Sequence, residues 1–142
     1  MKKFALYSFA YLFVFLSSCQ QKQDQAGLDE YTRFQLASWN KHLSHIIITD
    51  IFTPPVASRI YAYTNIAAYE ALVPAYPACQ SLAGQLNGLE NIPQPEKNKE
   101  YYFPLASAEA FATVMKKLTL VPENTEKFEN EYLAQIKKIG IK

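Results

Sequence analysis

The chain has 142 residues, a length that suits one domain. It carries 14 basic and 13 acidic side chains, so it lacks the basic excess that binds nucleic-acid phosphates, and we expect no nucleic-acid partner. The chain is long enough to bury a hydrophobic core without disulfides.

The first eighteen residues have the three parts of a bacterial export signal. Two lysines follow Met1, residues 4–16 form an uncharged apolar run, and Leu-Ser-Ser-Cys ends the segment at Cys19. The apolar run is too short for a comfortable membrane span, and small residues before the cysteine suit peptidase cleavage. We predict a lipoprotein signal peptide at residues 1–18, with Cys19 lipidated and anchoring the mature protein in the cell envelope. An ordinary signal peptide and an uncleaved anchor helix are the alternatives.

Residues 19–27 are polar and carry no aromatic or branched side chain, which predicts a flexible tether. A helical domain is expected over residues 28–142. Within it Cys79 has no second cysteine with which to form a disulfide. The sequence shows no neighbour that would activate its thiol, so we interpret Cys79 as structural.

Apolar spacing predicts two helices in the first half of this domain. The first runs from Leu28 to about Asp50. The residues that share one of its faces are Leu36, Trp39, Leu43, Ile46 and Ile47. The second begins after Thr53 as the N-cap, tolerates prolines in its first turn, and stops at Pro74. It is apolar nearly all round, which is typical of a helix at the centre of a bundle.

The second half is predicted to hold a long connection and two more helices. Residues 74–103 are rich in proline and glycine, with one short turn of helix near 80–86. A third helix starts at Pro104, and a fourth spans about residues 123–139. The stripe of the third helix is Leu105, Ala108, Ala112, Met115 and Leu118, and the fourth turns Phe128, Tyr132, Ile136 and Ile139 inward. The class is all-α, a bundle of about four helices with one long irregular loop. Residues 140–142 resemble the start of another connection, so we expect an incomplete bundle.

Four side chains are candidates for chemistry. His42 and His45 lie one helical turn apart and could share a metal ion, but two ligands do not make a site, so we interpret them as surface histidines. Arg59 and Glu70 are spaced to share a face of the second helix. We expect each to reach a partner on a neighbouring helix or loop. The role is either structural, through an ion pair or a hydrogen bond to loop backbone, or supportive of an anion site.

The stretch from Asp50 to Leu72 is the most distinctive part of the sequence, with Pro-Pro-Val-Ala-Ser-Arg-Ile-Tyr-Ala-Tyr at its centre. Trp39-Asn40 precedes it, and Phe-Pro-Leu-Ala-Ser-Ala-Glu-Ala follows at residues 103–110. This pattern resembles the N-terminal helices of bacterial vanadium-dependent haloperoxidase-like proteins. That family belongs to the type-2 phosphatidic acid phosphatase superfamily and includes lipoproteins. The resemblance covers about residues 28–142.

The resemblance implies a bundle that binds vanadate or phosphate through a lysine, an Arg-Pro arginine, a Ser-Gly-His segment, and a later arginine and histidine. Such cations and donors stabilise an oxyanion. This chain has no Ser-Gly-His, no Arg-Pro and no arginine after Arg59. We therefore assign no catalytic, cofactor-binding or metal-binding residue. We expect the N-terminal region of a haloperoxidase- or phosphatase-like lipoprotein, inactive alone, with its catalytic region missing. Vanadate or phosphate is implied only for a full-length relative.

A second function is compatible with the same residues. The chain could be a self-contained helical binding or scaffold lipoprotein of the cell envelope. The long connection at residues 74–103 would then be its recognition element.

Overall fold

The computed structural model describes the backbone of residues 20–138 and the side chains of residues 33–134. The described residues form four helices, α1 (Gln20–Thr49), α2 (Pro54–Leu72), α3 (Phe103–Leu118) and α4 (Pro122–Lys138), and a 3-10 turn at Val73–Ala75. This part of the chain contains no β-strand, so the all-α prediction is confirmed. The predicted signal peptide and Cys19 lie outside the described residues. In the described part, no helix has both the length and the hydropathy that a membrane span requires.

The chain divides into two units between Phe34 and Gln35, and helix α1 passes through both. Residues 20–27, for which the sequence predicted a flexible tether, belong to this helix. Glutamine, lysine and alanine are good helix formers, and what the segment lacks is side chains for core packing. The lack of core-forming side chains in residues 20–27 therefore does not prevent a helical backbone. The bundle described below belongs to the second unit.

Helix α2 begins and ends where its prolines predict. Pro54 and Pro55 occupy its first turn, where a missing N–H costs no hydrogen bond. Thr53 lies at the N-cap position with an extended backbone, but its side chain makes no capping hydrogen bond. Its carbonyl instead accepts the N–H groups of the third and fourth residues after it. The helix stops at Leu72, and Pro74 lies in the 3-10 turn that follows.

Trp39 lies at the centre of the core and is fully buried. Its ring contacts Phe111 of α3 at a centroid distance of 5.7 Å, and Phe128 and Tyr132 of α4 at 4.8 and 5.6 Å. The other buried apolar residues of this cluster are Leu43, Ile46, Ile47, Ile60, Ala68, Ala108, Ala112 and Met115. Most residues of the predicted inward faces of α1 and α3 belong to this cluster, and Phe128 and Tyr132 of α4 pack against it as predicted. Ile136 and Ile139 lie outside the described side chains.

Hydrogen bonds made by side chains set the register of the helices. The amide of Gln35 donates to the carbonyl of Pro104 at 2.7 Å, and its oxygen accepts the hydroxyl of Tyr132. Asn40 and Asn65 exchange two amide hydrogen bonds of 3.0 and 2.8 Å. Because buried polar groups are costly when unpaired, these contacts fix how α1 packs against α2, α3 and α4.

Residues 76–102 connect α2 to α3 without a helix. The turn of helix predicted near residues 80–86 is reduced to a hydrogen-bonded turn, in which the Leu82 carbonyl accepts two N–H groups. Gly84 and Gly88 have φ values of 74° and 82°, in the left-handed region that favours glycine. The chain therefore changes direction at these positions.

Candidate functional site

A groove of about 650 Å³ lies between helices α2 and α3. Helix α2 contributes Tyr63, Ile66, Ala67 and Ala71, and helix α3 contributes Phe103, Ala106, Ala110 and Val114. Spacings of three and four residues place each set on one face of its helix. The side chain of Tyr63 is 53% exposed. Helix α2 was predicted to be enclosed at the centre of a bundle, but in the described structure one of its apolar faces is open.

The long connection forms one wall of the groove. Its lining side chains are Leu89, Ile92, Pro93, Gln94, Pro95 and Tyr101, all but Gln94 apolar or aromatic. The hydroxyl of Tyr101 accepts the N–H of Glu96 at 3.0 Å, and its ring lies 6.1 Å from that of Phe103. The connection thus packs beside the helices with its apolar side chains turned to the groove.

Glu70 attaches this connection to helix α2. Its side chain is only 6% exposed, and its two oxygens accept the hydroxyl of Ser81 at 2.7 Å and the N–H of Leu82 at 2.6 Å. The neighbouring Tyr69 donates its hydroxyl to the carbonyl of Gln80 at 2.7 Å. A buried carboxylate needs such donors, so the structure gives Glu70 the bond to loop backbone that the sequence left as one of its alternatives.

Arg59 differs from its expected role. It is exposed, and it forms no ion pair with any residue that the structure describes. Val56 and Ser58 are exposed as well, so this end of α2 lies at the surface. A guanidinium in water needs no protein partner. Arg59 and Glu70 were predicted to share a face of α2, but Glu70 is buried and Arg59 is not.

The two histidines border a second cavity of about 450 Å³ between α1 and α4. The ring of His42 stacks on Phe128, with centroids 4.1 Å apart and planes 8° from parallel. Burial lowers the pKa of His42 below its usual value of 6.5 and His45 lowers it further, while the Asn124 backbone and Glu131 oppose the shift. His42 is half-buried, in contrast to the surface position predicted for it, whereas His45 is exposed.

A cluster of charges joins α3 to α4. The ammonium of Lys116 lies 2.8 Å from a carboxylate oxygen of Glu129. Burial raises the pKa of Glu109, as do a hydrogen bond and charge repulsion from Glu129, while Lys116 opposes the shift. The bond to Glu129 raises the pKa of Lys116. This cluster was not recognised in the sequence, because its members lie on different helices.

No protein-family profile and no curated protein matches the chain. Among solved structures, the chain is similar to the crystal structure described as the first bacterial vanadium-dependent iodoperoxidase. Sequence identity is 39% and the TM-score is 0.67, over 73% of this chain and 25% of the other. This chain is structurally similar to one quarter of a vanadium-dependent iodoperoxidase. The similarity agrees with the family resemblance of the Asp50–Leu72 stretch, while lipidation stays a prediction.

The described residues do not fit a vanadate site. An oxyanion of this kind needs several donors aimed at one point in a dry pocket. Arg33 and Arg59 are exposed and lie on different helices, and Lys116 is engaged by Glu129. The histidine cavity is lined by both Lys127 and Glu131, whose opposite charges offset each other and leave no excess of cationic donors for an oxyanion. Among the described residues, no three His, Cys, Asp or Glu side chains are grouped to bind a metal ion.

Proposed function

We propose that this chain is the N-terminal helical region of a vanadium-dependent haloperoxidase- or acid phosphatase-like lipoprotein, and that its role is structural support of a catalytic region. The observation that carries the proposal is the 39% identity to an iodoperoxidase of which the chain spans a quarter. The oxyanion-binding motifs that the family resemblance implies, Arg-Pro, Ser-Gly-His and a later arginine and histidine, are missing from this sequence. The chain would therefore contribute packing surface, while the oxyanion ligands come from elsewhere in such a protein.

The open groove supports this proposal. Helices α2 and α3 share the Trp39 core on one side, yet leave apolar faces open on the other. A region that works by packing against a further region requires such a surface. The long connection is attached to α2 through Glu70, so it forms a fixed wall of that surface.

An activity assay tests the division of roles. The purified chain with added vanadate is expected to show neither halide oxidation nor hydrolysis of a generic phosphate ester above a heat-killed control. Catalysis would need donors preorganised around the oxyanion, which the described side chains do not provide. Turnover that disappears in Arg59→Ala or His45→Ala would contradict the proposal and make those residues part of a site.

The gene itself provides the sharper test. Reading the DNA beyond the codon for Lys142 is expected to show an in-frame continuation that encodes Arg-Pro, Ser-Gly-His and a late arginine and histidine. A stop codon without such coding sequence nearby would instead favour a self-contained binding or scaffold protein.

We also propose that Cys19 carries the lipid that anchors the mature protein in the bacterial cell envelope. The support is the complete Leu-Ser-Ser-Cys box that follows an apolar run. Metabolic labelling with a fatty-acid analogue is expected to mark the wild-type protein and the Cys79→Ala variant, and to be lost in Cys19→Ala. Cys79 is the matched control because it is the other cysteine of the chain and is exposed. Undiminished labelling of Cys19→Ala would end the lipoprotein proposal.

A further inference from the structure

We propose that the contact between α1 and α4 is a binding site for one water molecule, held by the side chains of Trp39, His42 and Thr125. The water ties the two helices together through hydrogen bonds that the protein does not supply there. This inference goes beyond the proposed support of a catalytic region, because it concerns how the bundle itself is closed.

Three buried polar atoms in this contact have no hydrogen-bond partner in the protein. They are the indole Nε1 of Trp39, the imidazole Nε2 of His42 and the hydroxyl oxygen of Thr125. Among the side chains that the structure describes, no other buried nitrogen or oxygen lacks a partner. Trp39 and Thr125 are fully buried as whole residues. Burial of an unpaired polar group costs free energy, so native proteins pair such atoms with protein groups or with ordered water.

The three atoms belong to residues that surround one aromatic ring. Trp39 and His42 lie one turn apart on α1, and Thr125 lies one turn before Phe128 on α4. The ring of Phe128 contacts that of Trp39 at a centroid distance of 4.8 Å and stacks on that of His42 at 4.1 Å. The backbone of Asn124 raises the pKa of His42, so the residue directly before Thr125 also lies next to the imidazole. The unpaired atoms are therefore grouped in one short stretch of the contact.

The donors and acceptors of this group match a single water molecule. The indole N–H of Trp39 can only donate, whereas Nε2 of a neutral imidazole with its proton on Nδ1 can only accept. Burial lowers the pKa of His42, which keeps the ring neutral at neutral pH. The hydroxyl of Thr125 can donate or accept. A water molecule that accepts from Trp39, donates to His42 and bonds to Thr125 makes the three hydrogen bonds typical of a buried water.

The neighbouring cavity gives water a route to this contact. It has a volume of about 450 Å³, and His42, Asn124 and Phe128 are part of its lining. Water occupies about 30 Å³ per molecule in the liquid, so the cavity admits solvent to the edge of the contact. Trp39 and Thr125 themselves have no exposed surface, which favours water over any larger polar ligand.

Nuclear magnetic resonance of the indole tests the site directly. Trp39 is the only tryptophan of the chain, so its indole N–H gives a single resonance in a proton–nitrogen spectrum of the purified, nitrogen-15-labelled protein. We expect a nuclear Overhauser effect between this proton and water, with the sign produced by a water molecule that stays bound for longer than the protein takes to tumble. An indole proton without this signal would overturn the proposal on the wild-type chain alone.

Two substitutions separate a bound water from other sources of the signal. Thr125→Val keeps the shape of the side chain and removes its hydroxyl, and His42→Phe keeps a ring on Phe128 and removes the acceptor. We expect each to weaken the water signal at least twofold. Thr64→Val is the matched control, because Thr64 is fully buried but its hydroxyl donates to the carbonyl of Ile60, and it should keep the wild-type signal. Full intensity in His42→Phe would assign the signal to exchange of the Thr125 hydroxyl proton with solvent and would overturn the site.

The stability of Thr125→Val supplies a test by sign. If the hydroxyl binds water, its removal deprives the water of one partner, and the urea midpoint should fall below that of the wild type. If the hydroxyl has no partner at all, a methyl group in its place relieves a desolvation cost and raises the midpoint. A raised midpoint would therefore contradict the bound water. Neither result bears on the activity assay or on the gene beyond Lys142, so the proposed function is tested separately.

Discussion

Helix α3 has two apolar faces that meet very different surroundings. One face places Phe111, Ala112 and Met115 against Trp39 and its neighbours, where all four side chains are fully buried. The other face places Ala106 and Val114 along the groove, half-buried. The same helix is thus finished core on one side and open surface on the other.

The difference lies in what the neighbouring elements contribute. On the core side, Phe128 and Tyr132 of α4 reach across to the Trp39 ring with edge-on contacts. On the groove side, helix α2 offers alanines, and the connection forms only one wall. Apolar character in a sequence therefore shows that a face can be buried, whereas the size and position of the partners decide whether it is.

The largest expected effect is at the core. Trp39→Ala should lower the free energy of unfolding by about 3–5 kcal/mol, because it removes the ring around which three other aromatics pack. That is a large part of the total stability of a small domain. Urea denaturation followed by circular dichroism measures it. A loss below about 1 kcal/mol would mean that the core is far looser than the contacts indicate.

Removing the carboxylate that ties the connection to α2 should have the next largest effect. Glu70→Ala leaves the N–H of Leu82 and the hydroxyl of Ser81 without their acceptor, at about 1–3 kcal/mol. Limited proteolysis should cut within residues 83–100 faster than in the wild type. Glu90→Ala, an exposed change in the same connection, is the control and should cut at the wild-type rate. Unchanged cleavage in Glu70→Ala would show that the wall of the groove is held by other contacts.

A strained residue at the turn between α1 and α2 should yield a gain in stability. Ile51 has a φ of 55° and is 86% exposed, so its branched side chain bears the cost of a left-handed backbone without packing in return. Ile51→Gly should stabilise the chain by up to about 1 kcal/mol in urea denaturation. Ile48→Gly is the contrast, since Ile48 is 76% exposed but lies in the last turn of helix α1 without a positive φ, so glycine should destabilise by up to about 1 kcal/mol. Destabilisation by both changes would indicate that Ile51 has a packing partner in solution.

The contact between α1 and α4 should respond to acid. Because the folded state lowers the pKa of His42, it binds this proton less tightly than the unfolded chain does. Stability should therefore be highest, for this group, above pH 6.5 and should fall as the pH drops from 6.5 through the lowered folded value. His42→Phe, which keeps a ring on Phe128, should flatten the fall in urea midpoint over this range.

Glu109 has the opposite sign, because its pKa is raised. The folded state binds the proton of Glu109 more tightly than the unfolded chain does. For this group, the free energy of unfolding should therefore fall as the pH rises from 4.5 through the raised folded pKa. Glu109→Gln is the matched variant and should remove that component alone. For the preceding prediction, a urea midpoint in His42→Phe that falls with pH as steeply as in the wild type would contradict the assignment of the acid response to His42.

The smallest expected effect is in the groove. Tyr63→Ala should change the free energy of unfolding of the isolated chain by less than about 0.5 kcal/mol, because half of the ring is already in water. The same urea experiment that is used for Trp39→Ala measures it. Equal losses of unfolding free energy in Tyr63→Ala and Trp39→Ala would contradict the contrast between groove and core, since Tyr63 would then be as well packed as Trp39.

Local features were predictable to a useful degree. Prolines before and after α2, and apolar stripes at helical spacing, placed α2, α3 and α4 within one or two residues of their observed ends. The start of α1 differs from the prediction, because the polar composition of residues 20–27 predicts a tether while the structure continues the helix through them. The candidate site was missed as well. The sequence drew attention to Arg59 and to the long connection, whereas the structure shows an exposed Arg59 and an apolar groove that the connection borders.

Helical periodicity is a property of residues three and four positions apart, so the sequence alone determined the helices and which of their faces are apolar. Which apolar face is covered depends on side chains far away in the chain. Trp39 meets Phe128 and Tyr132, and Glu70 meets Ser81 and Leu82, only once the helices and the connection have packed. The tertiary structure alone therefore decided that one face of α2 and α3 became core and the other an open groove. Burial is a free-energy balance over contacts between distant segments, and no local pattern records it.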